Sequence, residues 1–202
     1  RLLVASRSYE RVIVLTRRDL GRSVHHRKVH QVVVEFGRLD DVREQLAADH
    51  VFCALGTTMK KAGSRDRFRE VDMDYPLKLA RICRSEGAGH FSIVSALGAS
   101  RSSPFFYSRV KGEVEAALQE MHWPSLAIFR PSVIAGDRGE SRPLERVGEQ
   151  LLSLAPATWR PVPAADIAAA MVAVAVESPP GVTIVESRDI SRVLHKSSSS
   201  DC

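Results

Sequence analysis

Six apolar runs punctuate the chain, each closed by a polar or turn-forming residue. Val12-Ile13-Val14-Leu15 ends in Thr16-Arg17-Arg18. Residues 29–36 centre on Val32-Val33-Val34. Residues 50–55 stop at Gly56-Thr57-Thr58. Residues 90–95, 126–130 and 182–185 complete the set. Short runs of this kind, rich in β-branched and aromatic residues, read as strands buried on both faces. Between them the spacing turns helical. Residues 39–48 place Leu39, Val42 and Leu46 on one face. Residues 68–86 repeat apolar positions near i, i+3 and i+4 and stop at Gly87. Helices are also predicted over 107–121, 144–154 and 164–176, the last closed by Ser178-Pro179-Pro180-Gly181.

Strands alternating with helices predict βαβ units and a mostly parallel sheet. Right-handed crossovers make that an α/β, doubly wound, Rossmann-like domain. A single domain over residues 1–190 is expected, with a small cap contributed by 131–165. Ser197 to Ser200 is low in complexity, and 191–202 reads as a disordered tail.

Composition changes this picture little. The chain has 202 residues, 44% of them hydrophobic and 26% charged, which excludes disorder as the main state. No run approaches a membrane span, and no signal peptide opens the sequence. The three cysteines do not build a disulfide framework. Cys53 and Cys83 lie in apolar runs and read as small buried hydrophobes. A reducing, cytoplasmic setting is the expectation. The net charge of +5 suits an anionic small ligand. With 6% aromatic residues there is no basic-aromatic surface for nucleic acid. The seven histidines do not fall at metal-site spacing.

Tyr107 and Lys111 form a Y-x-x-x-K pair on a predicted helix, so they share one face. A nearby ammonium favours phenolate and brings a phenol toward proton transfer at a carbonyl or alcohol. The plain alternative is a lysine packed on a half-buried tyrosine. Ser95 ends a strand twelve residues earlier, where parallel sheets place their sites, with a hydroxyl free for a substrate oxygen. Serine is also a common turn residue. Arg17 and Arg18 follow the first strand with no acid before Asp19. At that position arginine accommodates a 2′-phosphate, which points to NADP(H) over NAD(H). Two solvated loop arginines are the alternative. Gly56 permits close backbone approach of a ligand, with Thr57 and Thr58 beside it. Pro131, followed by Ser132 and Val133, stops a strand and frees carbonyls that could face a nicotinamide carboxamide, or is a plain strand exit.

These residues occur in a recognisable order. Ser95, Tyr107 and Lys111 match the Ser/Tyr/Lys set of the short-chain dehydrogenase/reductase superfamily. Leu55-Gly56-Thr57-Thr58, Lys61-Ala62-Gly63, Asp72, Asp74-Tyr75 and His90-Phe91 are more specific. So are Val110-Lys111-Gly112-Glu113-Val114-Glu115, Phe129-Arg130-Pro131, Asp137-Arg138 and Ser141-Arg142-Pro143. Together they resemble the atypical branch that contains the Tat-interactive protein 2 oxidoreductases. The resemblance implies a Rossmann fold that binds NADPH. It makes Tyr107 the general acid/base, Lys111 its activator and ribose ligand, and Ser95 the group that polarises a carbonyl. Leu55, Gly56, Thr57, Pro131, Ser132 and Val133 would line the cofactor, and Glu35 and Phe36 would lie by the adenine.

One departure stands out. The family opens with a strand and a G-x-x-G-x-x-G turn that cradles pyrophosphate. Residues 1–202 hold no such turn, and 1–8 read as the tail of the helix that follows it. The expectation is a preceding segment of about 15–20 residues. The leading function is an NADP-dependent oxidoreductase on a small carbonyl or alcohol. One alternative is an NADPH-binding regulatory module, alone, as a homodimer or with a protein partner. A nucleotide-sugar epimerase or dehydratase is another, though the chain after Pro131 is short for its usual substrate domain.

Overall fold

The computed structural model describes residues 1–135 and 160–199. The predicted helix 144–154, most of the predicted cap, and the Asp137-Arg138 and Ser141-Arg142-Pro143 motifs lie outside the described residues. A short helix α1 (Leu2–Ala5) precedes β1 (Val12–Thr16) and β2 (Val29–Val33). A 3₁₀ segment Phe36–Leu46 follows, then β3 (His50–Cys53), α2 (Met59–Ala62) and α3 (Arg65–Arg69). A π-helical turn Glu70–Asp74 leads into α4 (Tyr75–Ser85). Next come β4 (His90–Val94), α5 (Phe106–Glu120), β5 (Ser125–Arg130) and the short β6 (Ile134–Ala135). After the undescribed stretch come β7 (Val162–Pro163), α6 (Ala164–Glu177), β8 (Gly181–Glu186) and α7 (Ile190–Ser199).

All strand pairings among the described residues are parallel. β3, β4, β5 and β8 form one sheet in that order. Alternation along β5 divides the core. Leu126 and Ile128 point into a cluster with α4 and α5, while Ala127 and Phe129 meet α6 and the start of α7. Helices therefore cover both faces, and the domain is doubly wound as the sequence predicts.

β1 and β2 form a separate two-stranded sheet. Between β1 and β3 lies a cleft of about 880 Å³, lined by Val12, Val14, Val51, Cys53 and Leu55 among others. At its lower end the Tyr9 hydroxyl meets His50 Nδ1 at 3.0 Å. Burial pushes the Tyr9 phenol up to about 12. Cys53 and Cys83 are buried and unbridged, as expected. Burial pushes their thiols up to about 11 and about 12.

Four local predictions change. The strand expected over 29–36 stops at Val33, because Phe36 and Leu39 turn inward on the 3₁₀ segment and become buried. The helix expected over 68–86 is broken by the π turn. Pro76 has no N–H and its ring crowds the carbonyl four residues back, that of Asp72. The chain widens there, and the Tyr75 N–H bonds to the Glu70 carbonyl instead. Helical backbone runs from Ile190 through Ser199, where a tail was expected from residue 191. The two-residue strands β6 and β7 are too short to leave a periodic signal. Among the described residues, no helix is long and apolar enough to cross a membrane.

The loop after β4 is pressed onto α5. Ser100 N–H bonds to the Ser108 carbonyl at 3.0 Å, and Arg109 reaches the Ser103 carbonyl at 2.9 Å. A Cβ on Gly112 would lie 2.3 Å from the Ser100 carbonyl carbon, so glycine is required by that approach. Gly112→Ala is expected to cost at least about 2 kcal/mol, because backbone cannot yield as a side chain can. Urea denaturation measures it.

His90 is fully buried on β4, with Ser125 and Ser92 hydroxyls each 2.7 Å from a ring nitrogen. Burial, reinforced by His50, holds it down at about 4 against an ordinary 6.5. The folded state therefore excludes a proton that the unfolded chain accepts. This stabilisation is complete above about pH 6.5 and is lost as pH falls toward 4, by roughly 3 kcal/mol at most. Urea midpoints at pH 7 and pH 4.5 should differ more in the parent than in His90→Asn. His50, lowered by burial against the pull of Asp49, accounts for part of what remains.

Candidate active site

Tyr107 sits in the first turn of α5, 42% exposed, with its ring 5.7 Å from that of the buried Phe68. Lys111 follows one turn later on the same face and is 5% exposed. Its ammonium lies 2.7 Å from Asp72 Oδ1, and Asp72 is 1% exposed. The second oxygen, Asp72 Oδ2, accepts the Thr57 N–H at 2.7 Å. One carboxylate thus ties α5 to the turn after β3. Gly56 completes the contact. A Cβ there would stand 3.3 Å from Asp72 Oδ1 and 3.9 Å from the ammonium. Thr58 caps α2 by accepting the Lys61 N–H at 3.2 Å.

A second network lies one turn further along α5. Glu115 is buried and receives Arg130 through two bonds, Nη2 to Oε2 at 2.6 Å and Nε to Oε1 at 3.1 Å. Arg130 also holds Glu186 on β8 at 3.0 Å. Bonding to Glu115 raises the arginine further above its ordinary value. Ser95, buried at the end of β4, donates its hydroxyl to Glu115 Oε1. The free hydroxyl expected at Ser95 is therefore corrected: its proton is committed to a carboxylate. Tyr107, Lys111 and Glu115 continue one four-residue stripe along α5, which places Glu115 on this face but does not name Ser95 as its partner.

The expectation of free carbonyls after Pro131 is corrected as well. The Pro131 carbonyl accepts the Leu97 N–H at 2.9 Å. Ser132 donates its hydroxyl to the Arg160 carbonyl at 2.5 Å and its N–H to Ser187 at 3.1 Å. The Val133 carbonyl accepts from Val162, and the Val133 side chain is exposed.

The remaining sites form a separate group on the β1–β2 piece. Arg17 and Arg18 are exposed directly after β1. Glu35 is exposed, but Phe36 is buried and stacks on Tyr75 at 5.8 Å. Its ring serves the core rather than an open adenine face. Leu55 lines the cleft between the two groups. Asp72 and Glu115, quoted from the sequence as motif residues without a site role, join the site in the structure. Their burial beside a cation is what marks them.

No protein-family model matches the chain. Protein HTATIP2 of Rattus norvegicus is 37% identical over 198 residues, covering 96% of this chain and 81% of the relative. The mitochondrial protein fmp52 of Emericella nidulans is 40% identical over 94 residues, 46% of this chain and 40% of that protein. Among solved structures, MoeE5 in complex with UDP-glucose and NAD superposes with a TM-score of 0.63 at 13% identity, over 95% of this chain and 74% of that one. The UDP-N-acetylglucosamine 4-epimerase from Methanobrevibacter ruminantium M1 gives 0.65 at 15% identity, over 87% and 68%. At such identities the structures share the fold. The level and length of the HTATIP2 match decide the family: this chain belongs with HTATIP2, in the Tat-interactive protein 2 oxidoreductase-like branch of the atypical short-chain dehydrogenase/reductases.

Proposed function

We propose that this protein is an NADP-dependent oxidoreductase acting on a small carbonyl or alcohol. The observation that carries the reading is Tyr107, exposed at the head of α5, one turn above a buried lysine fixed at the Gly56–Thr57 turn. Solved neighbours with this fold hold NAD by name, which supports a nicotinamide ligand at the carboxyl ends of these strands. The residues present fit such a group. Gly56 is exposed and leaves its backbone open to approach, while any side chain there would crowd the ion pair beneath. When bound, the nicotinamide supplies or accepts the hydride.

The chain's own residues handle the proton. In reduction the Tyr107 phenol gives its proton to the substrate oxygen, and in oxidation the phenolate takes it back. The Lys111 ammonium, one helical turn from Tyr107, would stabilise that phenolate and would hold the ribose of a bound cofactor. Gly56 would line the cofactor by its open backbone, and Thr57, Pro131, Ser132 and Val133 would flank it with backbone groups already bonded within the protein. Ser95 serves differently from the usual serine of the set. Its proton is held by Glu115, so it fixes the end of β4 and leaves proton donation to Tyr107. Arg17 and Arg18 meet the 2′-phosphate with a charge that NADH cannot use.

Tyr107→Phe is expected to lower turnover by about 10²–10⁴-fold on a carbonyl panel while NADPH binding, followed by fluorescence, changes little. Undiminished turnover would refute the role. In Arg17→Ser/Arg18→Ser, NADPH affinity should fall at least about tenfold while NADH affinity stays within about twofold. Equal losses for both cofactors would remove the case for phosphate selection.

A further inference from the structure

Lys111 is a cation in a place that disfavours cations. It is nearly as buried as the core side chains around it. An ammonium taken out of water without a partner tends to shed its proton. The charge facing Lys111 is the Asp72 carboxylate at 2.7 Å, and that group is itself buried. Asp72 lies on the π turn forced by Pro76, so backbone geometry and not a flexible side chain sets its position. Its other oxygen is occupied by Thr57 N–H, which stops the carboxylate from rotating away. Three elements thus converge on one ion pair: the π turn, the turn after β3, and α5.

We propose that Asp72 is a positioning residue of the reaction: it keeps Lys111 charged and aimed between the Gly56–Thr57 turn and Tyr107, and through Lys111 it sets the proton affinity of the tyrosine. The proposal rests on the acid–base reading of Tyr107 given above. It makes a specific claim about sign. A carboxylate near a phenol would by itself disfavour phenolate. Here the carboxylate is bonded to the lysine and holds its charge, so its removal takes away the cation. Phenolate formation then becomes harder, not easier.

The test is a phenolate titration of Tyr107, read by near-ultraviolet absorbance and needing neither substrate nor cofactor. Subtracting the same titration in the Tyr107→Phe background isolates this group. The other two tyrosines are both raised above the ordinary phenol value, Tyr9 by burial and Tyr75 by burial and its bond to Glu70. In Asp72→Asn the midpoint should rise by at least about one pH unit. Lys111→Met should give at least that rise, since it leaves the carboxylate uncompensated, and the double variant no more than Lys111→Met. A purely structural role would lower stability and leave the midpoint in place.

A shifted Lys111→Met beside an unmoved or lowered Asp72→Asn overturns the proposal alone. An unmoved Lys111→Met overturns the acid–base reading and the proposal with it. Should Asp72→Asn not fold, Asp72→Glu restores the carboxylate and should titrate with the parent. A Glu variant titrating with Lys111→Met refutes the role. The double variant remains a folded control, because replacing both members of a buried pair by uncharged groups is far milder than orphaning one.

Discussion

The site is organised by the need to keep a buried charge paired. Lys111 reaches the interior from α5, where a charge left without a partner is costly. The Asp72 carboxylate is that partner, and the local backbone is arranged to deliver it. Pro76 denies α4 a regular start, the π turn absorbs the extra residue, and Asp72 comes to face α5. Gly56 lacks a side chain where one would press on the pair. An ordinary α-helix through this region would have been more regular, but it would have carried Asp72 along a different path. The irregular turn belongs to the site as much as the lysine does.

The same logic recurs one turn along α5. Glu115 is buried, and it is matched by the fork of Arg130 and by the Ser95 hydroxyl. Arg130 in turn crosses to Glu186, its register partner on β8. A fork bonded through two nitrogens fixes orientation as well as charge. α5 is therefore pinned at two heights by ion pairs, to the π turn through Asp72 and to the sheet through Arg130, with the Gly112 contact to the Ser100 backbone between them. That fixes where Tyr107 stands, although Tyr107 itself is largely exposed.

The fold was legible because buried parallel strands write continuous apolar runs, and these fell at the right places from Val12 to Val185. The Tyr107–Lys111 pair was legible because one helical turn is four residues. Partnerships across the fold were not. Nothing in the local pattern says that Ser95 donates to Glu115, or that the Pro131 carbonyl is taken by Leu97, because both bonds join segments distant in sequence. The π turn escaped for a related reason. Apolar spacing continues through it, and only the steric effect of Pro76 on the preceding turn reveals the break. Phe36 was misplaced because a strand end and a buried 3₁₀ start have the same hydrophobicity.

The separation of β1–β2 from the larger sheet has an energetic consequence. The described residues carry no strand ladder from β1 to β3, so the Arg17–Arg18 side is joined to the Tyr107 side by other means. One is apolar packing of Phe36, Leu39 and Leu46 beneath the cleft, including the Phe36–Tyr75 stack. Others are the Tyr9–His50 bond and a set of rim contacts, Lys78 to Asp40 and to the Gly37 carbonyl, and Arg43 to Glu86. Exposed ion pairs of this kind contribute little each and weaken with salt. The packing of the 3₁₀ segment on α4 therefore sets the distance between the two groups of site residues. A ligand that touched both would add a link between them that the described backbone does not supply, and its binding would stiffen the junction in proportion to the contacts it made on each side.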